Sequence, residues 1–278
     1  MIMDPARELI VFRPMSPGQL ECELDLEKLL PSDEERNKFE DNWKPFLASD
    51  RDNSEIFQRR GNNLIYRTEQ LIPEKTDRRP PLLLLLGNPA SHSIKAGMFF
   101  SFEAGGREHR FWKDILRPAG ILDLAVDGSL SIQERNSRRR ERLLTLDYKS
   151  PFRVGLAVYI SLPSPASGPW AGVSGVNKLI GGLAMKRLET AERERILECS
   201  KSFLVANGAI VAFQKNAWEG LRSPDDPPYR LDVVKTAGLK GKLTRMPKIP
   251  LYCVPPTRLA GPARAALKQS LIPDKQRD

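Results

Sequence analysis

Cysteine is scarce: Cys22, Cys199 and Cys253 are the only three in 278 residues, and no two of them form a Cys-x-x-Cys pair. That excludes a dense disulfide scaffold and a four-cysteine iron–sulfur cluster built from this chain. Histidine is scarcer still, with only His92 and His109, which leaves no His-rich zinc site. No apolar run approaches the roughly 20 residues of a membrane span. The first residues lack the basic-then-apolar pattern of a signal peptide. The expectation is a soluble, intracellular, monomeric protein without metal, cofactor or membrane contact.

What the chain does have is positive charge. It carries 44 Lys+Arg against 35 Asp+Glu, a formal net charge of +9. The segment from Glu21 to Glu55 holds 12 acids and 5 bases, a net of −7, so the rest of the chain carries +16. A basic surplus of this kind favours a polyanionic partner, because Lys and Arg displace counterions from phosphates.

The acidic segment marks off residues 1–60 as an appendage to a main domain over 61–278. Within it Cys22, Leu24 and Leu26 alternate with acids, a strand-like pattern. Ser32-Asp33-Glu34-Glu35 reads as a capping box opening a helix with Phe39, Trp43, Phe46 and Leu47 on one face. The main domain then repeats strand, loop and helix. Buried strands are expected at Leu82–Leu86, Val154–Ile160, Ala209–Phe213 and Ile249–Val254, with a shorter strand within Asn62–Ile72. Helical patterns cover Lys186–Ala206, Lys215–Leu221 and, after Pro262, Ala263–Leu271. This order argues for an α/β domain with a mainly parallel sheet, layered as a three-layer α/β/α sandwich. The arginine cluster Arg135, Arg138, Arg139, Arg140 and Arg142 reads either as a solvated helix face or as a phosphate contact.

The leucine strand ends in Gly87-Asn88-Pro89-Ala90, a polar side chain on a tight turn. Ligands of open parallel sheets bind beyond the carboxyl ends of the strands, so Asn88 stands where chemistry is expected. Leu86 to Ala90, Ser93, Gly97 to Phe100 and His109 to Lys113 resemble, in order, the first signature of the uracil-DNA glycosylase superfamily. The similarity is to the branch of the mismatch-specific uracil and thymine glycosylases. That branch carries Gly-x-Asn-Pro-Gly, a Ser, Gly-Phe-Pro-Phe and Asn-Arg-Phe-Trp-Lys.

The resemblance implies a four-stranded parallel core and a monofunctional DNA glycosylase. Such an enzyme hydrolyses the N-glycosidic bond of a flipped deaminated base, uracil first, and leaves an abasic site for base excision repair. Its partner is DNA carrying a damaged or mismatched base, in the nucleoid of a bacterium or the nucleus of a eukaryote. Asn88 would orient the attacking water, Phe100 would stack on the base, and Ser93 would lie near the sugar. Gly87 and Pro89 frame the same pocket, and Ser161 and Ser164 stand at the end of the second strand, where the family reads the base. Met98, Phe99 and Phe102 read as core, and His92 as structural.

The family's second signature, a polar residue followed by Pro-Ser, corresponds to Val254-Pro255-Pro256-Thr257-Arg258-Leu259. Pro255 matches, Val254 stands where a polar residue often sits, and Pro256 replaces Ser. The resemblance makes Pro255, Pro256, Thr257, Arg258 and Leu259 the loop that wedges the duplex, with Arg264 and Lys268 gripping phosphates. Two other readings stay open: a DNA-binding member of the fold with weak or no catalysis, and an α/β hydrolase of free nucleosides or nucleotides.

Overall fold

A computed structural model describes residues 9–103, 105–204, 208–255 and 271. The chain opens with β1 (Ile10–Ser16), β2 (Gln19–Asp25), α1 (Leu26–Leu29), α2 (Asp33–Ala48), α3 (Asn53–Ile56), β3 (Phe57–Arg60) and β4 (Asn63–Glu69). There follow β5 (Pro81–Leu86), α4 (Ser91–Ala96), a π-helical turn (Phe111–Leu116), α5 (Ile132–Thr145) and β6 (Arg153–Val158). The last elements are α6 (Gly172–Ile180), α7 (Gly182–Phe203), β7 (Ala209–Ala212), α8 (Lys215–Leu221), α9 (Leu231–Thr236), β8 (Leu239–Leu243) and β9 (Met246–Cys253). Among the described residues no helix is long and apolar enough to cross a membrane.

The chain divides into two compact units. The first combines residues 1–70 with 87–101 and 158–198. It holds an antiparallel sheet in the order β1-β2-β4-β3, with Cys22 opposite Tyr66 and Leu24 opposite Leu64. Those four side chains are wholly buried, so the alternation around Cys22 and Leu24 marks the core face of β2. The expected boundary after residue 60 would divide this sheet between β3 and β4.

Helix α2 starts as its sequence dictates. Ser32 Oγ accepts from Glu35 N, and the Glu35 carboxylate accepts from Ser32 N. Phe39, Trp43 and Phe46 then fall on one buried stripe. Their rings follow one another at 5.5 and 5.9 Å between centroids, and Phe57 of β3 meets Phe46 edge-on at 5.4 Å.

The second unit combines residues 71–86, 102–157 and 199–278. Its sheet runs β6-β5-β7-β9-β8, with β5, β7 and β9 parallel. The five leucines of β5 are buried on both faces, which is why no alternation shows in them. The four-stranded core expected from the resemblance is corrected to five strands, because β8 pairs antiparallel with β9 at the edge. Leu239-Lys240-Gly241-Lys242-Leu243 buries only its two leucines, so its composition hides a strand that the register makes plain.

The arginine cluster lies on α5, with Arg138 on its exposed face and Arg139 in the core. Arg139 is fully buried, with its guanidinium 4.3 Å from the Phe102 ring centroid and 4.9 Å from that of Trp112. It also donates to Glu108 Oε1 at 2.5 Å and to Leu124 O at 3.3 Å. Burial pushes its pKa down, against the opposing pull of Glu108, to about 10, so it stays charged at neutral pH. Arg135 also lies over the Phe102 ring, 4.8 Å from its centroid, and donates to Gly106 O. Arg138 pairs with Glu141, and Arg142 with Asp147. Arg135 and Arg139 thus hold the segments before α5.

Candidate functional site

The site is built where two strands end. Beyond β5 and β6 the chain segments stay paired. Ile160 N donates to Gly87 O at 2.9 Å, Ser164 N to Pro89 O at 3.1 Å, and Ser91 N to Ser164 O at 2.9 Å. Pro89 has no N–H to offer, but its carbonyl still accepts, so the turn keeps its ladder. Ala90 and Ser164 form a parallel bridge. Asn88 thus sits on a turn whose backbone is fixed from both sides.

Its side chain is fixed too. Asn88 Nδ2 donates to Leu162 O at 3.2 Å and to Ser164 Oγ at 2.9 Å. A carbonyl can only accept, so the nitrogen, not the oxygen, must face Leu162. Both amide hydrogens are then committed, and Oδ1, in the same plane, points away from Leu162 and Ser164. Asn88 remains partly exposed. The result is a lone acceptor held in one orientation at the carboxyl ends of two strands, a geometry suited to holding a water by one of its hydrogens.

Phe100 is the second unusual feature. Gly97 caps α4 in the left-handed region at φ 69°. Met98 and Phe99 that follow it are buried. Phe100 itself is left-handed, at φ 48°, and half-exposed. A bulky residue in that region is strained, and such strain gathers at functional sites. The sequence assigned Met98, Phe99 and Phe102 to the core, and all three are buried.

The three serines part company. Ser164 is buried and holds Asn88 while donating to Pro165 O at 3.3 Å. Ser93 is buried within α4, and its Oγ lies 3.3 Å from His92 Nε2. Ser161 is wholly buried and presents nothing outward. Its Oγ is 2.7 Å from Tyr66 OH, and its N–H donates to Glu192 Oε1 at 2.5 Å. Glu192 in turn pairs with Arg195 at 2.6 Å, and Arg195 donates to Val158 O and to Gln70 Oε1. Ser161 is therefore an anchor for its loop. Burial, reinforced by neighbouring charge, pushes both the Tyr66 phenol and the Cys22 thiol well above their ordinary ranges, so both stay protonated in this network.

Gly87 and Pro89 lie buried on either side of Asn88. Residues 109–113, the later part of the signature, fall in the second unit. There Phe111 and Trp112 are buried, and His109 Nδ1 accepts from Phe111 N at 3.2 Å. Val254 is buried and extends β9 by donating to Ala212 O at 3.0 Å, and Pro255 after it is buried. Pro256, Thr257, Arg258, Leu259, Arg264 and Lys268 lie outside the described residues.

Sequence reasoning missed Leu162, Tyr66, Glu192 and Arg195. A backbone carbonyl leaves no trace in a sequence, so the role of Leu162 was closed to it. The Glu192/Arg195 pair, three residues apart on a helix, reads like any solvated pair until its burial is seen. Among the described residues no group of three His, Cys, Asp or Glu side chains could hold a metal ion. No protein-family model matches this sequence, and no curated protein matches it.

Proposed function

We propose that this chain is a monofunctional DNA glycosylase that hydrolyses the bond between a flipped, deaminated base, uracil first, and its deoxyribose. The observation that carries the reading is the Asn88 amide, whose two donors are spent on Leu162 O and Ser164 Oγ so that Oδ1 is left as an oriented acceptor. The ordered similarity from Asn88 to Lys113 and the strained, half-exposed Phe100 support it. The mainly parallel sheet supports the parallel α/β core that the resemblance implies.

On this reading the nucleotide leaves the duplex and its base stacks on Phe100. Asn88 Oδ1 accepts a hydrogen bond from a water below the sugar. An amide is a poor base, so the bond to the base breaks first in character, and the sugar becomes oxocarbenium-like. The base departs with the bonding electron pair, the water oxygen joins the sugar carbon, and the water's proton passes to solvent or to the departing base. The products are free base and an abasic site, with no covalent enzyme intermediate.

The test uses end-labelled duplexes with one uracil opposite guanine or adenine, treated with alkali after incubation to break the strand at abasic sites. Wild type should cut and Asn88→Ala should cut at most about a hundredth as fast, since an oriented catalytic hydrogen bond contributes roughly 2.7–4 kcal/mol. If uracil, hypoxanthine, xanthine and mismatched thymine all survive wild-type protein, the enzymatic reading is lost.

One observation favours a second reading, a DNA-binding protein of this fold without catalysis. Val254 stands where the family's second signature offers a polar side chain, and here that side chain is buried. That reading requires salt-sensitive duplex binding with no base release. A hydrolase of free nucleosides would instead release base from mononucleosides and ignore duplexes.

A further inference from the structure

From Val233 to Pro273 the chain contains eight bases, Lys235, Lys240, Lys242, Arg245, Lys248, Arg258, Arg264 and Lys268, and no acid. No other stretch of this length is so one-sided. Lys240, Lys242 and Lys248 are exposed on the β8–β9 hairpin, with Arg245 exposed at its turn in the left-handed region at φ 60°.

The register sorts the two faces. Lys240 lies opposite Tyr252 and Lys242 opposite Pro250, so with Lys248 two positions along they share one face. The other face carries Leu239, Leu243, Ile249 and Leu251, all buried. Lys240 Nζ lies 6.0 Å from the Tyr252 ring centroid. None of the three lysines makes an ion pair among the described residues. Asp226, beside the hairpin, turns Oδ2 to backbone, accepting from Lys242 N at 2.7 Å and from Ser223 N at 3.1 Å. The arginines, in contrast, are mostly paired with carboxylates, as at Arg13, Arg79, Arg117, Arg187 and Arg222.

We infer that the outward face of the β8–β9 hairpin is a sequence-independent docking surface for the phosphate backbone of duplex DNA, with Lys240, Lys242 and Lys248 as the contacts. This rests on the reading of the chain as a protein that acts on DNA. Alternate residues of a strand repeat at about 6.7 Å, about twice the roughly 3.4 Å axial spacing of charges on one DNA strand, so the two β8 lysines can meet separate phosphates. An anionic membrane is the poorer fit, because a surface that lies in a bilayer interface needs exposed apolar side chains beside its charges, and here Tyr252, the aromatic ring on the lysine face, is buried. The ordinary role of edge lysines, keeping β8 from pairing with another chain, asks for charge but not for a partner.

The experiment titrates fluorescent undamaged duplex DNA with the full chain across a range of salt, so base release plays no part in the readout. The variant K240Q/K242Q/K248Q should bind at least ten-fold more weakly near 0.1 M salt. Its slope of log affinity against log salt should shrink by about 2 to 3, at roughly 0.9 for each phosphate left without its lysine. The variant K38Q/K44Q/K186Q, with the same change of charge on α2 and α7, should leave the slope unchanged. Three single variants, K240E, K242E and K248E, guard against a folding defect in the triple, and each should lower the slope by about 1. Unchanged binding by the hairpin variants would overturn the proposal, as would equal losses in both triples or tighter binding to anionic vesicles than to duplex. Hairpin-dependent binding by a protein that releases no base would keep this inference and sink the glycosylase reading.

Discussion

Asn88 and Ser164 meet at the ends of neighbouring strands, amide nitrogen to hydroxyl oxygen at 2.9 Å. The bond decides which way the amide faces, since the Leu162 carbonyl and the Ser164 hydroxyl between them take both hydrogens of Nδ2. On the proposed function, this bond makes Ser164 the residue that positions Asn88. Ser164→Ala should slow single-turnover uracil release about ten-fold, the worth of one hydrogen bond at the top of its usual range of roughly 0.5–1.5 kcal/mol. Affinity for uracil-containing duplex should not change. In an Asn88→Ala background the same substitution should cost nothing further, because the pair acts as a unit. A serine that reads the base would instead weaken substrate binding in both backgrounds.

Phe100 combines a left-handed backbone, φ 48°, with a half-exposed ring. That conformation costs about 1–3 kcal/mol, and glycine adopts it freely. Phe100→Gly relieves that strain but gives up the ring's packing and adds unfolded-chain freedom, so the melting temperature should change little. The same variant should lose at least ten-fold in affinity for uracil-containing duplex, since stacking contributes roughly 1–3 kcal/mol per base. A fall of several degrees without a binding defect would make Phe100 a packing residue.

The elements that the sequence made legible are those whose pattern is local. The capping box at Ser32 and Glu35, the alternation of Cys22 and Leu24, and the continuous leucines of β5 each encode their structure within a few residues. The strands that stayed hidden are edges. In β1, Val11 and Met15 are exposed, and in β8 two lysines and a glycine separate the leucines, so neither shows the signature of a buried strand. The turn carrying Asn88 could be placed from its sequence, but its chemistry could not. The amide's orientation depends on a carbonyl 74 residues away and the Ser164 hydroxyl 76 away. Ser161 shows the same limit from the other side. Its place at a strand end suggested a pocket, and only the Tyr66 hydroxyl and the Glu192 carboxylate reveal that it is an anchor.

Arg139 supplies a prediction about stability. Its side chain is 1% exposed and links Glu108, Leu124 O and the rings of Phe102 and Trp112. Removing one partner of a buried pair typically costs about 3–5 kcal/mol. Glu108 keeps Arg117 at 3.1 Å, so the lower end applies, and Arg139→Met should lose about 3 kcal/mol by urea unfolding. Arg138→Gln, which breaks only an exposed pair with Glu141, should cost at most about 1 kcal/mol. Neither change should alter the salt dependence of DNA binding. A reduced slope in folded Arg138→Gln would restore the phosphate-contact reading of the cluster.

Glu35 sets a pH dependence within the first unit. The Arg187 guanidinium, 2.7 Å away, lowers its pKa from an ordinary value near 4.5, with burial opposing and the bonds from Ser32 adding to the effect. A carboxyl whose pKa is depressed in the folded state binds fewer protons there than in the unfolded chain. Its stabilising contribution is therefore complete above about 4.5 and is lost as pH falls through the lower, folded value. Urea midpoints at neutral pH should place wild type above Glu35→Gln. The difference should narrow once the pH drops below about 4.5 and vanish in stronger acid. Arg187→Gln should show the same convergence, because the depression arises chiefly from that partner. A gap between wild type and Glu35→Gln that persists unchanged in acid would mean the side chain works by shape and capping alone, with no part for its charge.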